Sequence, residues 1–409
     1  MSKTVETTIT RRGVIWLGQT CNLKCQFCYF IDRRDSKDHP EHAFMSLDKA
    51  KKICRTLVDV YNNNAVDLQG GEPTLFEGIF DLVSYCRDIG LKPTLITNAL
   101  LLDDIEVCRR YGSSGIDDFL VSVHGMGDVH NRLVGRADAH ERQMKALRNL
   151  QKIGIPFRFN CVLSKPVLPQ LSSIARLATQ TGARAVNFIT FNPFADQALE
   201  GKRSSENVPP YSEIRTSLTE ALDILDDNDI EANVRYFPLC MLEERHRKSA
   251  YNFQQLPYDH HEWDYASWAW TGLQAQRMRG GDVSETFNLA DYNLVVRYKR
   301  IVRKIISIPT LKSLLTSIYR LYRRRKKQEV PRDVLYRKIA RAHAKIHCRY
   351  AYAEQCSHCS LRGICDGFHG DYAVFFGMTE AEPVVLSETI TDPLFYIRHQ
   401  KNQRKWLKP

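Results

Sequence analysis

Three thiols, Cys21, Cys25 and Cys28, fall within the stretch CNLKCQFC near the start of the chain. A structural zinc site is typically built from pairs of ligands two to four residues apart plus a second, distant pair. A single loop of the form Cys-x3-Cys-x2-Cys is not arranged that way. Iron–sulfur clusters are held by thiolates on short loops, and a four-iron cube has four iron corners. Three protein thiolates leave one corner for a ligand from outside the chain. About forty residues on, QGGEPTLF brings Gly70, Gly71, Glu72 and Pro73 together. Paired glycines allow a backbone to be approached closely, and a carboxylate is a natural partner for an ammonium group.

A second set, Cys356, Cys359 and Cys365, reads Cys-x2-Cys-x5-Cys. Cys348 stands just upstream of this set, and Cys240 lies farther off in YFPLCML. All-sulfur ligation suits zinc as well as iron–sulfur clusters, so spacing leaves the metal open. Cys54, Cys86, Cys108 and Cys161 stand singly in helix-like or strand-like stretches and read as small buried hydrophobes.

The elements around these residues alternate. GVIWLG (13–18) reads as a strand that delivers the chain into the first thiol loop. Strand-like runs recur in AVDLQ, PTLIT, DFLVSVH, PFRFNCVLS and AVNFITF, each followed by a helical pattern, the last near 211–226. Six β-then-α units with crossover helices imply a parallel sheet wound in one direction, either open or an incomplete barrel. Beyond it, IEANVRYFPLCML resembles one more strand entering a turn. The expected organisation is a tail over 1–12, a barrel over 13–230, a cysteine-bearing extension over 231–380 with a basic helical insertion at 293–347, and a tail over 381–409.

At 409 residues, 43% hydrophobic and 26% charged, the chain has the composition of an ordered globular protein. No apolar run approaches the roughly 20 residues that cross a bilayer, and the polar opening lacks the apolar core of a signal peptide. The expected compartment is the cytoplasm, where twelve cysteines are thiols or metal ligands rather than disulfides. The net charge of +11 is local: residues 297–349 hold 18 Lys and Arg against Glu329 and Asp333, or +16, which leaves −5 for the remainder. This basic segment suits a solvated helix face, an anionic substrate or partner, or peripheral contact with an anionic membrane through 297–327; nucleic acid ranks last, because no nucleic-acid-binding module accompanies it.

Cys21, Cys25 and Cys28, with Phe27 before the third cysteine, resemble the signature loop of the radical S-adenosylmethionine enzymes. The resemblance implies an α/β partial (β/α)6 TIM-like barrel with a C-terminal cysteine-containing extension. It also implies a [4Fe–4S] cluster whose open iron binds S-adenosylmethionine. By the same resemblance Gly70, Gly71, Glu72 and Pro73 hold the methionine amino group, and Thr97, Asn98, Ser122 and Asn160 line the cofactor or substrate, with His124 and Asn192 as further pocket residues. Cys356, Cys359 and Cys365 resemble the end of the auxiliary-cluster extensions called SPASM or twitch domains, with Cys240 as the expected fourth ligand of a second [4Fe–4S] cluster. The longer form of that pattern would carry a cysteine where His369 stands, so one auxiliary cluster is expected rather than two.

The implied activity is reductive cleavage of S-adenosylmethionine to a 5′-deoxyadenosyl radical, fed by an electron donor such as flavodoxin or ferredoxin. No residue is assigned as a catalyst. The short tail before the first strand favours a small polar metabolite, such as a sugar, a nucleotide-derived compound or a cofactor precursor. The alternatives are a maturase acting on a ribosomal peptide and a non-catalytic iron–sulfur or zinc protein.

Overall fold

The computed structural model describes residues 12–28, 43–59, 63–193, 201–251, 261–263, 349–392 and 395–396, with positions 308, 310, 311 and 314 besides. Cys348, most of the basic segment and most of both terminal tails lie outside the described residues.

Strands β1 (Arg12–Trp16), β2 (Ala65–Gln69), β3 (Lys92–Thr97), β4 (Asp118–Ser122), β5 (Phe157–Leu163), β6 (Ala185–Thr190) and β7 (Glu231–Arg235) lie side by side in chain order, all parallel. Between them run α1 (Leu47–Asp59), α2 (Ile79–Asp88), α3 (Ile105–Ser114), α4 (Gly127–Val134), α5 (Ala139–Ile153), α6 (Leu171–Thr181) and α7 (Tyr211–Asp227). The curled sheet is a partial TIM-like barrel. It does not stop at residue 230: β7 continues it, the short β8 (Ala250–Tyr251) pairs with β7, and β9 (His261–Trp263) pairs with β1 at the opposite edge. The expected boundary at 230 therefore falls inside one continuous nine-stranded sheet. α4 was not anticipated, because the Gly at its start and the Gly135 that caps its end read as loop.

Strand side chains alternate between two faces. One face, including Leu68, Leu95, Phe119, Phe159 and Phe188, is fully buried against the helices in the main core. The concave face is polar. Near the strand starts, Arg12 pairs with Asp67 and donates to Thr94 Oγ1 at 2.9 Å; Thr94 in turn donates to Asp118, which also receives Arg158 Nη2 at 3.2 Å. This chain of charges spans β1 to β5. Burial alone would push the Asp118 carboxyl up, but the charge and hydrogen bonds of Arg158, aided by Arg12 and Thr94, hold it below the usual carboxylate range.

The C-terminal cysteine region packs onto this barrel. Tyr372, in α8 (Gly370–Phe376), stacks on Tyr211 at the start of α7 with ring centroids 3.7 Å apart, and the Tyr211 N–H donates to the Tyr372 hydroxyl at 2.7 Å. Leu361, Ile364 and Phe368 are buried in the same core as the barrel helices. Among the described residues no helix is long and apolar enough to cross a membrane.

Candidate active site

The first thiol loop leaves the C-terminal end of β1 and is clamped from two sides. On one side is the glycine turn after β2. Gly71 N–H donates to Gly18 O at 2.9 Å and Glu72 N–H to Thr20 O at 2.9 Å. A Cβ on Gly71 would stand 2.2 Å from Thr20 O and 2.5 Å from Gln19 O, and one on Gly70 would stand 2.8 Å from Gly18 O. The close approach that two glycines permit is thus made by the chain itself, to the three residues that precede Cys21.

On the other side is the end of α4. Lys24 N–H donates to Val134 O at 3.0 Å and Gln26 N–H to Leu133 O at 2.9 Å, while Cys28 N–H turns back to Cys25 O at 3.2 Å. Leu23 is buried with Leu100, Val134 and Ala139, and Cys21, Cys25 and Phe27 pack against that small core. Gly135, at φ +71°, ends α4 directly over Lys24.

These contacts bring the thiols within electrostatic reach of one another. Burial pushes the Cys25 thiol up, and Cys21, Cys28 and Glu72 add to the shift. Three soft sulfurs on a half-buried loop, mutually destabilised as bare thiolates, match the donor set of an iron–sulfur cluster.

Glu72 lies beneath the loop, 1% exposed. Its Oε1 accepts from Thr74 N at 3.1 Å, Thr74 Oγ1 at 2.7 Å and Thr97 Oγ1 at 2.7 Å, and its Oε2 accepts from Asn98 N at 2.8 Å. Burial raises its carboxyl, and those four donors oppose the rise. Glu72 therefore ties the glycine turn to the end of β3. Asn98 extends the bracket, donating from Nδ2 to Asn22 Oδ1 in the thiol loop at 2.7 Å. The turn that follows is strained: Ala99 sits at φ +64°, held by Ala99 N–H to Thr97 Oγ1 at 2.9 Å and Leu100 N–H to Asn98 Oδ1 at 3.0 Å. Gln143, fully buried on α5, donates to Asn98 O at 3.1 Å and Ser122 O at 2.9 Å, fixing the ends of β3 and β4 relative to each other.

Residues 17–170 match the profile of the Radical SAM superfamily. Those residues form a radical SAM domain. A probable GTP 3′,8-cyclase from Sulfurisphaera tokodaii is 24% identical over 225 residues, 54% of this chain and 68% of that one. An AdoMet-dependent heme synthase from Methanosarcina barkeri is 28% identical over 184 residues, 44% of this chain and 51% of that one. The match thus spans about two thirds of the first relative and about half of the second. Among solved structures, SuiB of Streptococcus suis bound to its precursor peptide SuiA aligns with a TM-score of 0.44 at 19% identity, covering 56% of this chain and 49% of that one.

The remaining expected pocket residues divide. Ser122 and Asn160 are register neighbours on β4 and β5, and the row continues through Asn187 on β6 to Asn233 on β7. Asn233 Nδ2 donates to Asn187 Oδ1 at 2.9 Å. Sequence reading missed Asn187 and Asn233, although strand alternation places both on the face of Asn160. His124 is 3% exposed and packs on Phe27 of the thiol loop, ring centroids 4.2 Å apart. Burial, with His130 beside it, holds its imidazole well below the ordinary range; neutral, it accepts from Val162 N–H at 3.2 Å through Nδ1. Asn192 is buried, and its Oδ1 accepts from the Tyr211 hydroxyl at 2.8 Å. It acts as an anchor for α7.

The second set of thiols also converges. Cys240 lies just past β7, and burial pushes it up to about 11, with Cys356 and Cys359 adding to the shift. Burial pushes Cys365 up to about 12, with Cys240 contributing. Cys365 Sγ accepts from Gly367 N–H at 3.4 Å and Cys359 Sγ from Val384 N–H at 3.4 Å. Among the described residues no three His, Cys, Asp or Glu side chains gather as a single metal ion would require. The four thiols sense one another without meeting at one point.

Proposed function

We propose that this protein reductively cleaves S-adenosylmethionine and uses the resulting radical to abstract hydrogen from a small polar metabolite. The observation that carries the reading is the convergence of the Cys21/Cys25/Cys28 loop, the Gly70–Pro73 turn and the end of β3 at the C-terminal mouth of a parallel barrel, where such folds place their active sites. When bound, a [4Fe–4S] cluster with S-adenosylmethionine supplies a 5′-deoxyadenosyl radical. Cys21, Cys25 and Cys28 hold the cluster and leave one corner free. The Glu72 bracket keeps the loop against the glycine turn. Phe27 of the loop packs its ring on the buried His124. Ser122 and Asn160 offer a hydroxyl and a carboxamide along one wall.

Cys240, Cys356, Cys359 and Cys365 are the proposed ligands of an auxiliary [4Fe–4S] cluster. Burial raises Cys240 and Cys365, and the neighbouring thiols add to each shift, so the four sulfurs form one soft donor set of the kind such a cluster takes. The electron donor in this reading is a flavodoxin or ferredoxin, and the compartment is the reducing cytoplasm.

The relatives named as a GTP cyclase and heme synthases carry names of small-molecule chemistry and support a metabolite. A PqqA peptide cyclase from Bradyrhizobium diazoefficiens, 26% identical over 167 residues, favours a peptide side chain as the second reading. Anaerobically reconstituted protein, given dithionite and S-adenosylmethionine, is expected to form 5′-deoxyadenosine, and a low-molecular-weight, peptidase-treated extract fraction is expected to accelerate it. Acceleration that disappears on peptidase treatment would favour the peptide reading, and no 5′-deoxyadenosine at all would remove both.

A further inference from the structure

Arg203 lies outside every motif that the sequence singled out, yet it is 4% exposed and sits where three parts of the molecule meet. One guanidinium nitrogen, Nη1, donates to Asn192 O just beyond β6. The other, Nη2, reaches Phe27 O, next to Cys28 in the thiol loop, at 3.4 Å. Its Cζ lies over the Phe191 ring, 4.2 Å from the centroid. Burial lowers the His369 imidazole, Asp371 opposes that, and the charges of Arg349 and Arg203 add to the lowering. His369 caps α8, four residues after Cys365.

We infer that Arg203 is a positioning residue, a fork that fixes the third-cysteine arm of the first thiol loop against the exit of β6 and, through Asn192 and Tyr211, bears on the segment that follows Cys365. The chemistry requires arginine. Two carbonyl oxygens on different segments are reached at once by a planar guanidinium set over an aromatic ring, a geometry that the point charge of lysine does not reproduce. The strut continues through the same residues that dock the second cysteine region: Asn192 accepts from Tyr211, and Tyr211 stacks on Tyr372. Loosening Arg203 therefore frees the thiol loop and the 366–372 segment together. Arg215 provides the contrast. It pairs with Glu382 at 2.7 Å and Glu243 at 3.1 Å, clipping the same C-terminal region to the outside of the barrel without touching the thiol loop.

The test is amide hydrogen exchange on the full-length, metal-free protein, which does not depend on the radical reading, followed by electron paramagnetic resonance of the reconstituted protein, which does. Lys24, Gln26 and Cys28 carry hydrogen-bonded amides in the loop, and Phe368 and Ala373 report on the other segment. In Arg203→Ala both groups are expected to exchange at least about tenfold faster, the factor for losing one charge-assisted hydrogen bond. Arg203→Lys is expected to stay close to Arg203→Ala, and Arg215→Ala to speed only the C-terminal segment. After reconstitution, Arg203→Lys is expected to change the shift that S-adenosylmethionine produces in the signal of the reduced first cluster.

Wild-type-like exchange of the loop amides in Arg203→Ala overturns the inference. So does restoration of wild-type protection by Arg203→Lys, since charge alone would then suffice. If Arg203→Ala does not fold, the Lys variant carries the comparison on the same terms. A wild-type protein that makes no 5′-deoxyadenosine while the exchange pattern holds would count against the radical reading and leave Arg203 in its role.

Discussion

Substituting Gly71 by alanine probes the clamp that the first thiol loop depends on. The added Cβ would stand 2.2 Å from Thr20 O, against 3.4 Å for ordinary contact, so that carbonyl must retreat by 3.4 − 2.2 = 1.2 Å. Gln19 O, at 2.5 Å, must move as well. The obstacles are backbone atoms that lead straight into Cys21, and no rotamer relieves them. Overpacking of this kind costs about 1–3 kcal/mol. The retreat also stretches Gly71 N–H to Gly18 O and Glu72 N–H to Thr20 O, each worth about 0.5–1.5 kcal/mol. The sum is about 2–6 kcal/mol. Gly154→Ala is the control: it lies at φ +79° with nothing within 4 Å of its Cβ position, so it costs about 1–2 kcal/mol of backbone strain and leaves the loop alone. The assay is urea denaturation of the metal-free chains, paired with iron and sulfide counts after anaerobic reconstitution. Gly71→Ala is expected to be the less stable and to lose iron from the first site, and Gly154→Ala to keep it. Equal destabilisation with wild-type loading in both would refute the idea that the glycine turn positions the thiol loop.

Glu72→Gln keeps the shape of the side chain but sets an NH2 group against at least one of four donors; it is expected to cost about 2–4 kcal/mol in denaturation and to speed exchange of the Asn98 amide. Arg158→Met leaves Asp118 buried without its main partner and is expected to cost about 3–5 kcal/mol near neutral pH, measured by urea unfolding. Because the folded-state pKa of Asp118 is depressed, its stabilising contribution is present above the unfolded value of about 3.9 and lost as pH falls through the folded value; the wild-type advantage over Arg158→Met should shrink below about pH 4. A Cys21/Cys25/Cys28 triple alanine variant is expected to retain about four iron atoms per chain, and adding Cys240→Ser should lower that number; near-zero iron in the triple variant would argue against an auxiliary cube.

Much of this architecture was legible in the sequence because it is written in local patterns. The alternation of short apolar runs with amphipathic stretches identified the parallel sheet, and the spacing of Cys21, Cys25 and Cys28 drew attention to the loop that the glycine turn and α4 clamp. The role of Glu72 was not legible. A carboxylate beside two glycines suggested an ammonium partner, whereas its four hydrogen bonds run to Thr74, Thr97 and Asn98, a partnership across β2 and β3 that only the fold creates. Arg203 and Gln143 escaped for the same reason: each works by touching main-chain carbonyls of other segments, and carbonyls leave no trace in residue types. Asn187 and Asn233 could have been found, since each sits in an alternating strand on the face of Asn160.

The central claim is that the three clamped thiols start radical chemistry. Its most direct test is anaerobic formation of 5′-deoxyadenosine and methionine from S-adenosylmethionine by reduced wild-type protein, compared with Cys25→Ala prepared alongside. The account predicts product from the wild type and none above background from Cys25→Ala, with iron in the second site still present. Equal product from both proteins, or none from a fully loaded wild type, would contradict it.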